Sequence, residues 1–144
     1  MLYSGITEQT KASVHRLDDA RALLREQRWR GSMYLAGYAI ECQLKAKLMQ
    51  IYNTKNLFEL ETELQRRGTL TATATIFTHH LELLLELTQG LARLRQNSTL
   101  WPQFTMVNRW VPAWRYTSDL SNRRNAESFL EAVENVMDWI EHNT

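Results

Sequence analysis

Tyr34, Tyr38, Glu41 and Lys45 follow one another at steps of four, three and four residues. Those steps put four side chains on one side of an α-helix. The run that carries them, from about Ser32 to Ile51, is apolar around most of its girth. Gly37, Ile40, Leu44, Leu48 and Ile51 line one side, and Leu35, Ala39, Cys42, Ala46 and Met49 line another. Its polar strip, Ser32, Gln43, Lys47 and Gln50, is narrow and lies opposite Glu41. Such a helix is central, and it aims a carboxylate and an ammonium at the middle of what it buries. An ionised carboxylate in apolar surroundings is costly unless it is paired and hydrogen-bonded. Lys45, one turn on, supplies one cation. The other oxygen needs a second partner from a distant stretch. Arg115, in the run Trp-Val-Pro-Ala-Trp-Arg-Tyr where aromatic faces would order a guanidinium, is the first choice, and His79 the next. Two readings stay open: an ion pair that only fixes helix register, and the wall of a ligand site.

Other reactive types are less organised. His79 and His80 are adjacent, so on a helix they diverge by about 100° and do not share a metal easily. His79 and Glu82 stand at an i,i+3 spacing with no third ligand in view, so no metal site and no cofactor is expected. His15 and His142 read as surface residues, and Cys42 as inert core. There is no P-loop, no Gly-rich dinucleotide turn and no Gly-x-Ser-x-Gly elbow.

Positioning these groups falls to helices. The first expected helix, about Glu8 to Gln27, has Val14, Leu17, Ala20 and Leu24 at helical spacing, bordered by Arg21, Arg25 and Arg28. The second is the 32–51 run. A third spans about Leu57 to Arg67 and stops at Gly68. A fourth begins after Thr78 as N-cap, with His79 at its start and Leu81, Leu84, Leu85, Thr88 and Leu91 on one face; Gly90 shortens or bends it. The stretch Gly68 to Thr78 alternates Thr with small or apolar residues, but a lone strand has no partner, so a linker is expected. From Ser98 to Tyr116, Pro102 and Pro112 break any continuous helix into short aromatic-rich turns. The last helix, about Asn125 to His142, gathers Ala126, Phe129, Leu130, Val133, Val136, Met137 and Ile140 in one arc and its five acids elsewhere. Trp139 falls off that arc, as an exposed aromatic or a subunit contact.

A chain of 144 residues fits one domain, 1–144, with a substantial core. Five Gly and two Pro are too few for an all-β fold, and 44% hydrophobic with 23% charged residues argues against disorder. One cysteine excludes an internal disulfide, no leader is evident, and the longest uncharged apolar-leaning stretch is too short for a membrane span. The expected setting is cytoplasmic. Charge alternates in blocks: +4 over residues 1–56, −3 over 57–92, +5 over 93–124 and −5 over 125–144. The near-zero total does not favour nucleic-acid binding by bulk charge. Yet thirteen of the seventeen cations are Arg, which suits bidentate contacts to carboxylate or phosphate.

The runs RGSMYLAGYAIECQLKAKL, THHLELLLEL and WRY, followed by a closing amphipathic helix, resemble the HEPN domain over nearly the whole chain. The residues that carry the likeness are Tyr34, Gly37, Tyr38, Glu41, Leu44, Lys45 and Ala46, then His79 and Leu81, then Arg115 and Tyr116. His80 stands where family members more often have Asp. The resemblance implies an all-α, four- to five-helix up-and-down bundle, usually dimeric and intracellular, often encoded beside a nucleotidyltransferase, and in some members a ribonuclease or toxin. The ribonuclease branch carries Arg, four to six intervening residues, then His. None of His15, His79, His80 and His142 has an Arg at that distance before it.

Three functions follow. The first is a non-catalytic module binding a nucleotide, a phosphate-bearing ligand such as RNA, or a nucleotidyltransferase partner, with Tyr34, Tyr38, Glu41, Lys45, His79, Arg115, Tyr116, Arg123 and Arg124 as ligand-binding residues. The second is a variant ribonuclease toxin in which Arg115, Arg123 and Arg124 stabilise phosphate charge and Tyr116 or His79 moves protons. The third is a structural homodimer.

Overall fold

The computed structural model describes residues 4–116 and 121–144; the side chains of Arg115 and Tyr116 lie outside the described residues. Among the described residues there are seven α-helices and no strand: α1 (Ile6–Arg25), α2 (Trp29–Ile51), α3 (Leu57–Arg66), α4 (Leu81–Leu87), α5 (Leu91–Arg95), α6 (Leu100–Val107) and α7 (Arg123–Asn143). A 3-10 turn, Pro112–Tyr116, precedes α7. The all-α helical bundle expected from the sequence is what forms. No described helix is long and apolar enough to cross a membrane.

Helix α2 is the centre, with α1, α3, α4, α7 and the 3-10 turn packed on it. Its apolar girth is why: Ala36, Ala39, Ile40, Leu44, Leu48 and Met49 are all fully buried. Small residues let α1 approach closely. The Ser32 hydroxyl donates to the Ala20 carbonyl at 2.7 Å, and a Cβ on Gly31 would stand 3.3 Å from Leu23 Cδ1. The narrow polar strip of α2 is solvated only at its Gln50 end. Gln43 Nε2 donates to the Met137 carbonyl at 2.8 Å, and Lys47 pairs with Glu141 at 3.5 Å, so the strip pins α2 to α7.

Local chemistry sets the ends. Asn56 caps α3 by accepting from the Glu59 amide at 2.9 Å, and Gly68 beyond its end takes φ +72°. Asn122 caps α7 in the same way, accepting from the Asn125 amide at 2.8 Å. Pro102 is the third residue of α6, in the first turn, where no helical N–H is lost.

Four expectations shift. Val14 is 55% exposed, because α1 meets α2 through Ser13 and Ala20 rather than through the Val14 edge. The segment read as one fourth helix is two, α4 and α5, separated where Gln89 takes φ 67° before Gly90. Thr78 is not an N-cap: its hydroxyl accepts from the His80 amide at 3.2 Å, and α4 starts only at Leu81, which leaves His79 in the connection. Trp139 is half-buried and packed against the core, because α6 covers a second side of α7, with Asn135 Nδ2 donating to Gln103 Oε1 at 2.8 Å.

Candidate functional site

Glu41 is 2% exposed and Lys45 6%, on the face of α2 that the spacing predicts. Lys45 Nζ donates to Glu41 Oε2 at 3.0 Å. The other carboxylate oxygen, Oε1, lies 2.6 Å from His79 Nδ1. An ionised carboxylate only accepts, so the proton of this contact belongs on Nδ1. That orientation leaves Nε2 for whatever lies beyond, the second-partner logic by which a carboxylate fixes one face of an imidazole and frees the other.

His79 sits at the junction of two environments. On one side a ring cluster holds it: Tyr38 with ring centres 6.3 Å away, and Trp110 edge-on at 6.1 Å. Tyr34 completes the cluster against Tyr38 and Trp110. Trp110 Nε1 donates to the Tyr34 carbonyl at 2.9 Å, and the five-membered part of the indole lies on Gly37, where a Cβ would come within 2.1 Å of Trp110 Cδ1. A glycine inside a helix costs about 1 kcal/mol relative to alanine, and this close approach is what it permits. On the other side, the imidazole is 47% exposed and borders a pocket of about 370 Å³. His80, Glu82, Asn108, Trp110 and Pro112 share the lining.

Of the sequence-derived candidates, Tyr34, Tyr38, Glu41, Lys45 and His79 come together. Arg115 and Tyr116 belong to the 3-10 turn that begins at Pro112 of the pocket wall, but their side chains lie outside the described residues. Arg123 and Arg124 are elsewhere. Arg123 sits over the Trp29 ring at 5.5 Å, at the start of α2, about 18 Å along the helix axis from Glu41. Glu82 does not pair with His79; it faces Arg95 at 3.2 Å and Asn108 at 3.4 Å. Trp110 and Asn108 were not among the candidates. Gly37 was the available signal, since a mid-helix glycine beside two tyrosines asks for a large ring.

Burial in the same neighbourhood pushes the Cys42 thiol up to about 12, with the Glu41 charge adding to it, so this thiol stays protonated and unreactive. Among the described residues no group of three or more His, Cys, Asp or Glu is placed to hold a metal ion.

The network therefore fixes an imidazole by a buried carboxylate that is itself neutralised by a lysine. The family model of the HEPN domain matches residues 9–143. The chain belongs to the HEPN domain family. That match takes in α1 from its first turn through the end of α7, hence both the His79 pocket and the Arg123 end. No curated protein and no solved structure matches this HEPN chain.

Proposed function

We propose that residues 1–144 act as one non-catalytic HEPN module that binds a nucleotide, or another small phosphate-bearing ligand, in the His79 pocket. The observation behind this reading is the 2.6 Å contact between buried Glu41 and half-exposed His79 at the edge of a pocket of about 370 Å³. Pockets for small organic ligands fall at about 300–1,000 Å³ and combine apolar walls with a few fixed polar groups. Here Trp110 and Pro112 supply apolar surface, and His79, His80 and Asn108 supply hydrogen-bonding groups. The reading also makes the protein the binding half of a two-gene system: a cytoplasmic homodimer that engages a nucleotidyltransferase partner.

Isothermal titration of ATP, AMP and inorganic phosphate into the wild-type protein and into His79→Ala tests the pocket. Saturable binding that weakens roughly tenfold in the variant is expected, the loss of one charge-assisted contact. Heat from none of the three removes the ligand half and leaves protein interaction alone.

A second reading has a specific observation in its favour. An imidazole oriented by a buried carboxylate is the arrangement that general acid–base catalysis uses, so His79 or Tyr116 would move protons on RNA while Arg115, Arg123 and Arg124 stabilise phosphate charge. RNA cleavage and growth arrest on expression, both lost in His79→Ala or Arg115→Ala, would establish it. Intact RNA would leave binding as the function.

A further inference from the structure

A second hollow, of about 220 Å³, lies between α1, α2 and α7, on the side of α2 opposite Glu41. It shares no lining residue with the His79 pocket. Val14, Ala46 and Met137 give it an apolar wall. Its polar groups are mostly acceptors. The Thr10 hydroxyl donates its proton to the Ile6 carbonyl at 2.8 Å, and the Ser13 hydroxyl to the Thr10 carbonyl at 2.7 Å, so toward the hollow each oxygen can only accept. Gln43, 8% exposed, commits Nε2 to the Met137 carbonyl at 2.8 Å. Its Oε1 is buried and, among the described residues, has no hydrogen-bond partner. A buried amide oxygen left unpaired is costly, and such groups are rare in folded proteins. Lys47, the cation of the lining, is already engaged: Nζ donates to the Glu141 carbonyl at 3.2 Å and faces Glu141 Oε1 at 3.5 Å. Glu141 and Gln50 stand in the last turns of α7 and α2, where the helix ends carry partial negative charge. Thr10, fifth in α1, lies past the first turn that carries the opposite field.

We propose that this hollow binds a small aliphatic primary amine in its ammonium form. The alkyl stem lies against Val14, Ala46 and Met137, and the three N–H groups serve Gln43 Oε1, the Ser13 and Thr10 oxygens and the Glu141 carboxylate. Met137 is an unbranched, adaptable side chain, and its shift lets a donor reach Oε1. An anion would meet lone pairs and a carboxylate, and a hydrocarbon would leave Oε1 unpaired. The volume is below the range of about 300–1,000 Å³ usual for drug-sized ligands, which keeps the amine short. The site does not depend on a ligand beside His79.

Titration of n-butylamine, protonated near neutral pH, into methyl-labelled protein tests the site by NMR, with n-butanol and butyrate as probes of similar shape. The amine is expected to shift the Val14, Ala46 and Met137 methyls saturably, in roughly the millimolar range, and to bind about tenfold or more tightly than either probe. Gln43→Leu is expected to weaken it roughly tenfold, and Glu141→Gln, at an exposed position, about fourfold. Glu127→Gln, the same charge change at the far end of α7, keeps it within about twofold. Circular dichroism confirms that each variant folds. No saturable shift of those three methyls, n-butanol or butyrate binding as tightly as the amine, or equal weakening by Glu127→Gln and Glu141→Gln would each overturn the assignment.

Discussion

At Glu41 three groups share one buried charge, so the cost of removing it falls on what is left behind. Glu41→Gln strands the Lys45 ammonium in a site 6% exposed, and breaking such a pair costs about 3–5 kcal/mol. Urea denaturation should show that loss, and adding Lys45→Met should restore most of it, because no unpaired charge is then left buried. A second residue-scale outcome concerns Cys42. Its thiol, raised from 9.0 to about 12 in the folded protein, holds its proton where an unfolded chain would release it. Stability from this group is therefore complete below about pH 9 and lost as pH rises toward 12. Alkylation of Cys42 should accordingly track global unfolding rather than thiolate supply, which a reaction series in increasing denaturant would reveal. Glu63 behaves in the opposite sense. Hydrogen bonds from Arg66 and Arg67 hold its exposed carboxyl down to about 2, so its contribution is present above about pH 4.5 and fades as pH falls toward 2. Carboxyl chemical shifts in Arg66→Ala/Arg67→Ala should return its titration toward the ordinary range.

The element most exposed to a single change is α2. Gly37→Ala gains helix propensity, about 1 kcal/mol, but its methyl would meet the Trp110 indole at 2.1 Å. The contact is with a rigid ring that is 2% exposed and anchored through Nε1 to the Tyr34 carbonyl. Overpacking of this kind costs about 1–3 kcal/mol, so the net effect is destabilising, and tryptophan emission should shift as Trp110 is displaced. The same element shows what sequence periodicity reveals. The apolar arc of α7 was legible in the sequence: Ala126, Phe129, Leu130, Val133, Val136 and Ile140 are buried, with Met137 half-buried against the core. So was the inward aim of Glu41 and Lys45, because long helices average out local choices. Short elements do not. α4 has seven residues, and a hydroxyl at Thr78 that bonds the His80 amide two residues on looks, in sequence, the same as one that caps a helix. Val14 misled because one valine on a hydrophobic edge says nothing about which edge the neighbour chooses. For Trp110, Gly37 signalled that some large ring packs on α2 but not which of the chain's aromatics it is.

Across the whole molecule, charge and burial divide the labour. The carboxylate-bound imidazole lies midway along α2, and guanidiniums outside any ion pair among the described residues gather at the end where α1 closes and α2 and α7 begin. Family membership accounts for the bundle and not for this division, which comes from a dozen or so particular side chains. His79 also owes its place to a segment with no regular structure. The connection 68–78 is held down by buried Leu70 and Ile76, and by Glu61 on α3, which accepts from the Ile76 amide at 3.0 Å. An incision among its exposed threonines, short of Ile76, would therefore spare the helices and the anchor alike. Cutting on the far side of that anchor would instead unmoor the imidazole while the scaffold stood, so limited proteolysis offers a way to silence the pocket without altering one amino acid.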